Sequence, residues 1–281
     1  MGENKPGNII EKGLSSKSPY TKIALLEKFG GQLTPQQAKL MLNDNNPYVR
    51  KAAIIYLKLT AAQMNERQSD PSWHVRKTPP RYLKQNERQI AKSLNDKNVA
   101  VRAFAVLKQR LTKEQMNKAL YSGSKKVREA AKWKMLAESE QFKQGLESDN
   151  WFIRVATIEL YKNRLTKEQV WDQLRTKNWY VRKTIASVDH LFDKEQIGFA
   201  MKDPHWRVRE AVGWHQDLTE QQTLGILDDP NAAIRALAYA KRRLSPELII
   251  KGLKDPDRKV VEAVMLFQNP TEEQIKRAKW A

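Results

Sequence analysis

The chain has 281 residues, no cysteine, and 51 lysines and arginines against 32 aspartates and glutamates, a formal charge of +19. That composition excludes disulfides, thiol catalysis and thiolate metal sites, and 40% apolar content suits a packed core rather than a membrane protein. Such a cation excess points to an acidic partner, nucleic acid first and an acidic protein second. Residues 1–140 hold 27 basic and 12 acidic side chains, a net +15, which leaves +4 for residues 141–281.

The opening stretch MGENKPGNIIEKGLSSKS has no apolar run, so it reads as a loose lead-in over residues 1–18, neither signal peptide nor anchor. The sixth residue is Pro6 rather than Ser or Thr, which argues against myristoylation. These features predict a soluble, cytoplasmic monomer with no membrane contact.

From residue 19 onward the chain repeats itself. Val-Arg or Ile-Arg pairs place Arg50, Arg76, Arg102, Arg128, Arg154, Arg182, Arg209 and Arg235 at spacings of 26, 26, 26, 26, 28, 27 and 26, and a ninth copy at Val260 has Val261 in place of Arg. A fixed period of this size marks a solenoid. The expected organisation is a single repeat domain over 19–281, with a half-repeat cap at 19–32, repeats over 33–269 and a closing helix at 270–281.

Each repeat reads as two short helices. The first opens on a Thr-x-x-Gln capping box, at Thr34, Thr60, Thr112, Thr166, Thr219 and Thr271, with Pro35 and Pro246 at first helical positions. The second is expected to be capped four residues before the Arg, by Asn46, Ser72, Asn98, Ser124, Asn150, Asn178 or Asn231. Its buried face falls at −1, +2, +3 and +6 from the Arg, as in Val49, Ala52, Ala53 and Tyr56, or Ile153, Ala156, Thr157 and Leu160. Units this short bury that face only by stacking on neighbours.

One copy is irregular. Pro79-Pro80 falls inside a second helix, where each proline removes a donor and clashes with the preceding turn at a cost of about 3 kcal/mol. The helix should break there and re-aim Arg81, Tyr82 and Lys84, as a bend in the superhelix or as a ligand-facing notch. The next copy starts Asn86-Glu87 in place of Leu-Thr.

The consensus L-T-x-x-Q…D-P-x-W-x-V-R-x-A resembles the leucine-rich repeat variant and, more broadly, HEAT-like α-solenoids over residues 19–281. The resemblance implies an all-α, right-handed α-solenoid of about nine 26-residue two-helix repeats. It also implies that an Asp six residues before the Arg and the Arg itself form a structural ladder, as Asp44, Asp70, Asp96, Asp203 and Asp229 would provide. Ser122, Ser148 and Thr176 stand where Asp is expected, so Arg128, Arg154 and Arg182 lack the local carboxylate and become phosphate candidates. A neighbour such as Asp149 could restore the pair.

Trp73, Trp151, Trp179 and Trp206 stand three residues before an Arg, in the first turn of a second helix. A row of such rings would stack on unpaired bases, or else cover the seams between repeats. Lys51, Lys77 and Lys183 follow the Arg directly, and Lys84, Lys125, Lys126 and Arg81 complete the candidate surface. The expected function is non-catalytic nucleic-acid binding along a basic surface from the first six repeats. One alternative is a scaffold or inhibitor clasping an acidic protein. A second, by resemblance, is a HEAT-like DNA glycosylase using Trp151, Trp179 and Asp189.

No catalytic motif, phosphate loop or cofactor site stands out. His74, His190, His205 and His215 lack metal-ligand spacing, and Glu159 and Asp189 show no acid–base partner in the sequence.

Overall fold

The structure is a computed structural model, and it describes residues 6–279. Helices run in chain order as α1 (Pro6–Ser15), α2 (Pro19–Phe29), α3 (Pro35–Leu42) and α4 (Pro47–Tyr56), then α5 (Ala61–Arg67), α6 (Trp73–Arg76), α7 (Thr78–Tyr82) and α8 (Glu87–Leu94). They continue as α9 (Val99–Lys108), α10 (Lys113–Leu120), α11 (Lys125–Lys134), α12 (Glu138–Glu147), α13 (Trp151–Leu160), α14 (Lys167–Leu174) and α15 (Trp179–Ala186). The last are α16 (Lys194–Ala200), α17 (Trp206–His215), α18 (Glu220–Ile226), α19 (Ala232–Lys241), α20 (Pro246–Leu253), α21 (Arg258–Phe267) and α22 (Glu272–Lys279). The chain is an all-α repeat protein: among the described residues there is no strand. The lead-in expected over residues 1–18 is helical over Pro6–Ser15, with Ile10 buried; residues 1–5 and 280–281 lie outside the described residues.

The caps explain where the helices start. All six Thr-x-x-Gln boxes close: in the first, the Thr34 N–H donates to Gln37 Oε1 at 2.9 Å and the Gln37 N–H donates to Thr34 Oγ1 at 3.3 Å, and the other five repeat the pattern. Asn86 with Gln89 and Asp193 with Gln196 build the same box from other cap residues, which rescues the copy that lacks Leu-Thr. Second helices are capped by Asn46, Asn98, Asn150, Asn178 and Asn231 as expected. Ser72 and Ser124 hold the cap position without a side-chain bond.

The second helices carry the core. Val49, Ala52, Ala53, Ile153, Ala156 and Thr157 are buried and Tyr56 is half-buried, but Leu160 is exposed, one turn beyond the packed stripe. First and second helices approach closely where a side chain is missing: at Gly145 of α12 a Cβ would collide with Thr157 of α13. Pro79 falls in the first turn of α7, where its missing N–H costs little. The helix therefore breaks at Lys77, turning Arg81 inward and leaving Tyr82 and Lys84 exposed.

The helices group into two compact units. One is Lys58–Val188, in which the second helices pack in succession and α9 also meets α13, two repeats on. The other joins the chain ends, up to Leu57 and from Asp189 onward. There α1 and α2 pack on α21, and α2 also packs on α19. Ser16 donates to Glu262 Oε2 at 2.8 Å, and Lys241 lies 3.6 Å from Glu27. In the described residues no helix is long and apolar enough to cross a membrane.

Candidate nucleic-acid interface

The repeated Arg is a joint between repeats. In the Lys58–Val188 unit, Arg76 uses Nη1 on the carbonyls of Asp70 and Pro71, at 2.9 and 3.0 Å. Its other edge, Nε and Nη2, donates to both oxygens of Asp96 at 2.7 and 3.1 Å. In the terminal unit Arg209 does the same with Asp229, and Arg235 with Asp255. Hydrogen bonding to these carboxylates raises all three guanidiniums above their ordinary value.

The carboxylate comes from the following repeat, 20 residues on, which corrects the expectation of a local pair. The local Asp has a different duty, accepting the N–H two residues later in its own turn, as Asp96 Oδ1 does from Asn98 at 2.8 Å. The repeat after each Arg therefore decides whether its rung is complete. By that rule the rungs interrupted by Ser122, Ser148 and Thr176 belong to Arg102, Arg128 and Arg154. Arg102 thereby joins Arg128 and Arg154, although its own repeat carries Asp96.

The three interrupted rungs differ in detail. Arg102 Nη1 donates to the Asp96 and Lys97 carbonyls at 2.6 and 3.1 Å, and Arg128 Nη1 to the Ser122 carbonyl at 2.6 Å. Arg154 instead uses Nε on the Ser148 carbonyl at 3.1 Å and lines a recess with Glu147 and Asp172. Arg182 donates to the Thr176 and Lys177 carbonyls at 2.8 and 3.0 Å.

The tryptophans are half-buried and engaged. Lys77 Nζ lies 4.5 Å above the Trp73 ring and 4.8 Å above Tyr180, and donates to the Tyr180 hydroxyl at 3.1 Å. Trp151 packs among Phe152, Tyr180 and Phe104 at centroid distances of 3.7, 4.9 and 6.4 Å, and Trp179 lies edge-on to Tyr180 at 5.3 Å. In the terminal unit Arg207 covers Trp206 at 5.0 Å. Four rings free to stack on bases are not what the packing provides.

Lys77 and Arg81 also leave the candidate surface, being only 2% and 7% exposed. Arg81 Nε donates to Glu159 Oε1 at 2.9 Å and Nη1 to the Tyr180 hydroxyl, while Lys108 lies 2.9 Å from Glu159 Oε2. Burial pulls the Lys77 ammonium below its ordinary value and also pulls on Arg81, where Glu159 and Tyr180 more than restore the charge. Burial pushes the Glu159 carboxyl up, but the attraction of Arg81 and Lys108 reverses this and leaves it below the usual carboxylate value. Glu159 thus has two partners that its sequence neighbours did not reveal.

Lys84, Lys125 and Lys126 are exposed, and Lys51 and Lys183 half-buried. Lys125 is 83% exposed and lies 3.8 Å from Glu129. Exposed Lys97 and Lys177, not among the expected residues, sit in equivalent turns. Asp189 belongs to the terminal unit, where it accepts from His215 Nδ1 at 2.7 Å; His190 Nδ1 and Asp217 meet at 2.6 Å. Among the described residues no group of three His, Asp or Glu side chains could hold a metal ion.

No family model and no curated protein matches the sequence. The chain is similar to a solved structure described as a leucine-rich repeat variant with a novel repetitive protein structural motif, at 19% identity. The likeness covers 90% of this chain and 87% of that one, with a TM-score of 0.33. At so low a score the repeat fold stands on the helix pairs and caps described above.

Proposed function

We propose that the chain binds nucleic acid through the Lys58–Val188 unit, without catalysing a reaction. The observation that carries this reading is the placement of charge. That unit holds 28 lysines and arginines against 13 aspartates and glutamates, a net +15 of the chain's +19. Among its exposed lysines, Lys97 and Lys177 stand at the same place in the turn that leads into a second helix, and Lys125 and Lys126 open the second helix α11. A polyanion suits such a concentration of positive charge, and each neutralised phosphate releases counterions.

The test is the salt dependence of binding to short duplex and single-stranded DNA and RNA. If six phosphates are contacted, log affinity should fall against log salt with a slope of about −5 on duplex DNA. Replacing Lys125 and Lys126 by Ala should flatten that slope by up to about two. An affinity indifferent to salt, or an affinity confined to acidic proteins, would discard the proposal.

A further inference from the structure

The interrupted ladder offers a more specific site. In a complete rung one guanidinium edge is held by turn carbonyls, while the Nε/Nη2 edge receives two carboxylate oxygens at 2.7 to 3.1 Å. Arg102 and Arg128 keep the first half of this arrangement, with Nη1 on the Asp96 and Ser122 carbonyls at 2.6 Å. The second half is missing because Ser122 and Ser148 occupy the positions 20 residues on. Each serine still accepts its turn N–H, from Ser124 at 3.3 Å and Asn150 at 3.2 Å, so the turn survives while the carboxylate is lost.

We propose that Arg102 and Arg128 form a two-point seat for phosphodiester groups, each guanidinium taking through Nε and Nη2 two non-bridging oxygens in place of the lost carboxylate. The seat rests on the nucleic-acid reading above and specifies its contact. A planar guanidinium fixed in advance matches a phosphate as it matches a carboxylate, with two parallel hydrogen bonds. The two arginines lie on α9 and α11, which pack directly, so the seats are one helix layer apart, about 8–10 Å. A ligand with repeated oxyanions can occupy both, and the exposed Lys125 and Lys126 stand in the first turn of α11, the helix that carries the second. Arg154 is excluded because its Nε already donates to the Ser148 carbonyl and Glu147 and Asp172 share its recess.

The test is to complete the rungs from within. Ser122→Asp with Ser148→Asp places a carboxylate 20 residues after each Arg, the spacing of the complete rungs, and should leave the fold intact. Binding of the full chain to a short fluorescent DNA or RNA oligonucleotide should weaken at least tenfold, and the log–log salt slope should flatten by about two. Tyr121→Asp with Gly123→Asp adds the same charge on either side of Ser122 without supplying rung carboxylates, and should cost clearly less with the slope retained. Arg102→Lys with Arg128→Lys keeps the charge but removes the two-bond geometry, and should also weaken binding.

Wild-type affinity and slope in the Ser122→Asp, Ser148→Asp variant overturn the seat. So does an equal loss in the Tyr121→Asp, Gly123→Asp control. If Lys125→Ala with Lys126→Ala abolishes binding while the rung variants do not, the seat fails and the nucleic-acid reading stands. If the wild-type chain binds no nucleic acid, both fail.

Discussion

The Lys58–Val188 unit holds 28 basic and 13 acidic side chains, whereas the terminal unit holds 23 and 19. In the terminal unit the ladder arginines Arg209 and Arg235 meet Asp229 and Asp255, and Lys22, Lys241 and Lys251 each lie against a carboxylate as well. In the other unit Arg76 has Asp96, but the next three repeats carry serine or threonine at the carboxylate's position. The turn carbonyls hold the arginine whether or not the following repeat supplies a carboxylate, so one residue decides whether a rung is complete. The fold is insulated from the change.

The largest effect expected concerns the interior of the basic unit, where Glu159 answers both Arg81 and Lys108. Glu159→Gln leaves Arg81 charged and nearly buried, and should cost about 3–5 kcal/mol in urea unfolding. The same variant should lose part of the acid limb of stability. A carboxyl held below its ordinary value contributes stability that is present above the unfolded value of 4.5 and lost as pH falls through the folded value. Unfolding measured between pH 7 and pH 3 should show a shallower decline in Glu159→Gln than in wild type, and parallel curves would contradict the assignment.

Next is a matched pair of arginine truncations, one from each unit. Arg209→Ala removes a bidentate, largely buried pair with Asp229 and should cost about 1.5–3 kcal/mol. Arg128→Ala removes only a turn-carbonyl bond and should cost about 1 kcal/mol or less. Equal urea midpoints for the two variants would erase the distinction between complete and interrupted rungs.

Completing one rung should act in the opposite direction. Ser122→Asp is expected to raise stability by about 1 kcal/mol through its bonds to Arg102, visible as a higher melting temperature at low salt. Thr112→Ala and Thr219→Ala supply the baseline. Each removes one capping box, one per unit, and each should cost about 1 kcal/mol, with little difference between them.

Local rules were readable in the sequence, and relations across repeats were less so. The Thr-x-x-Gln boxes and the buried stripe depend on residues within one turn or one helix, so spacing alone locates them. Asn86 and Asp193 build the same box outside the Thr pattern, because Asn and Asp cap a helix as well as Thr does. The ladder's partner is ambiguous in sequence, since a separation of six within a repeat and one of 20 to the next are the same pattern in a 26-residue period; the structure pairs Arg76, Arg209 and Arg235 with the next repeat. The burial of Lys77 and Arg81 has another cause: they meet Glu159 and Tyr180, 78 to 103 positions further on, and no periodicity reports that. The helix at Pro6–Ser15 has weak local signals and gains its partners from α2 and α21.

The offset of the ladder has a consequence for how such a chain can change length. Because each arginine reaches into the unit that follows, excising Glu210–Arg235, a whole period, would leave Arg209 facing Asp255 at the separation it now has from Asp229. The cut heals its own joint. Duplication of the same segment would do likewise, so this architecture can gain or lose copies in evolution without any compensating substitution at the junction.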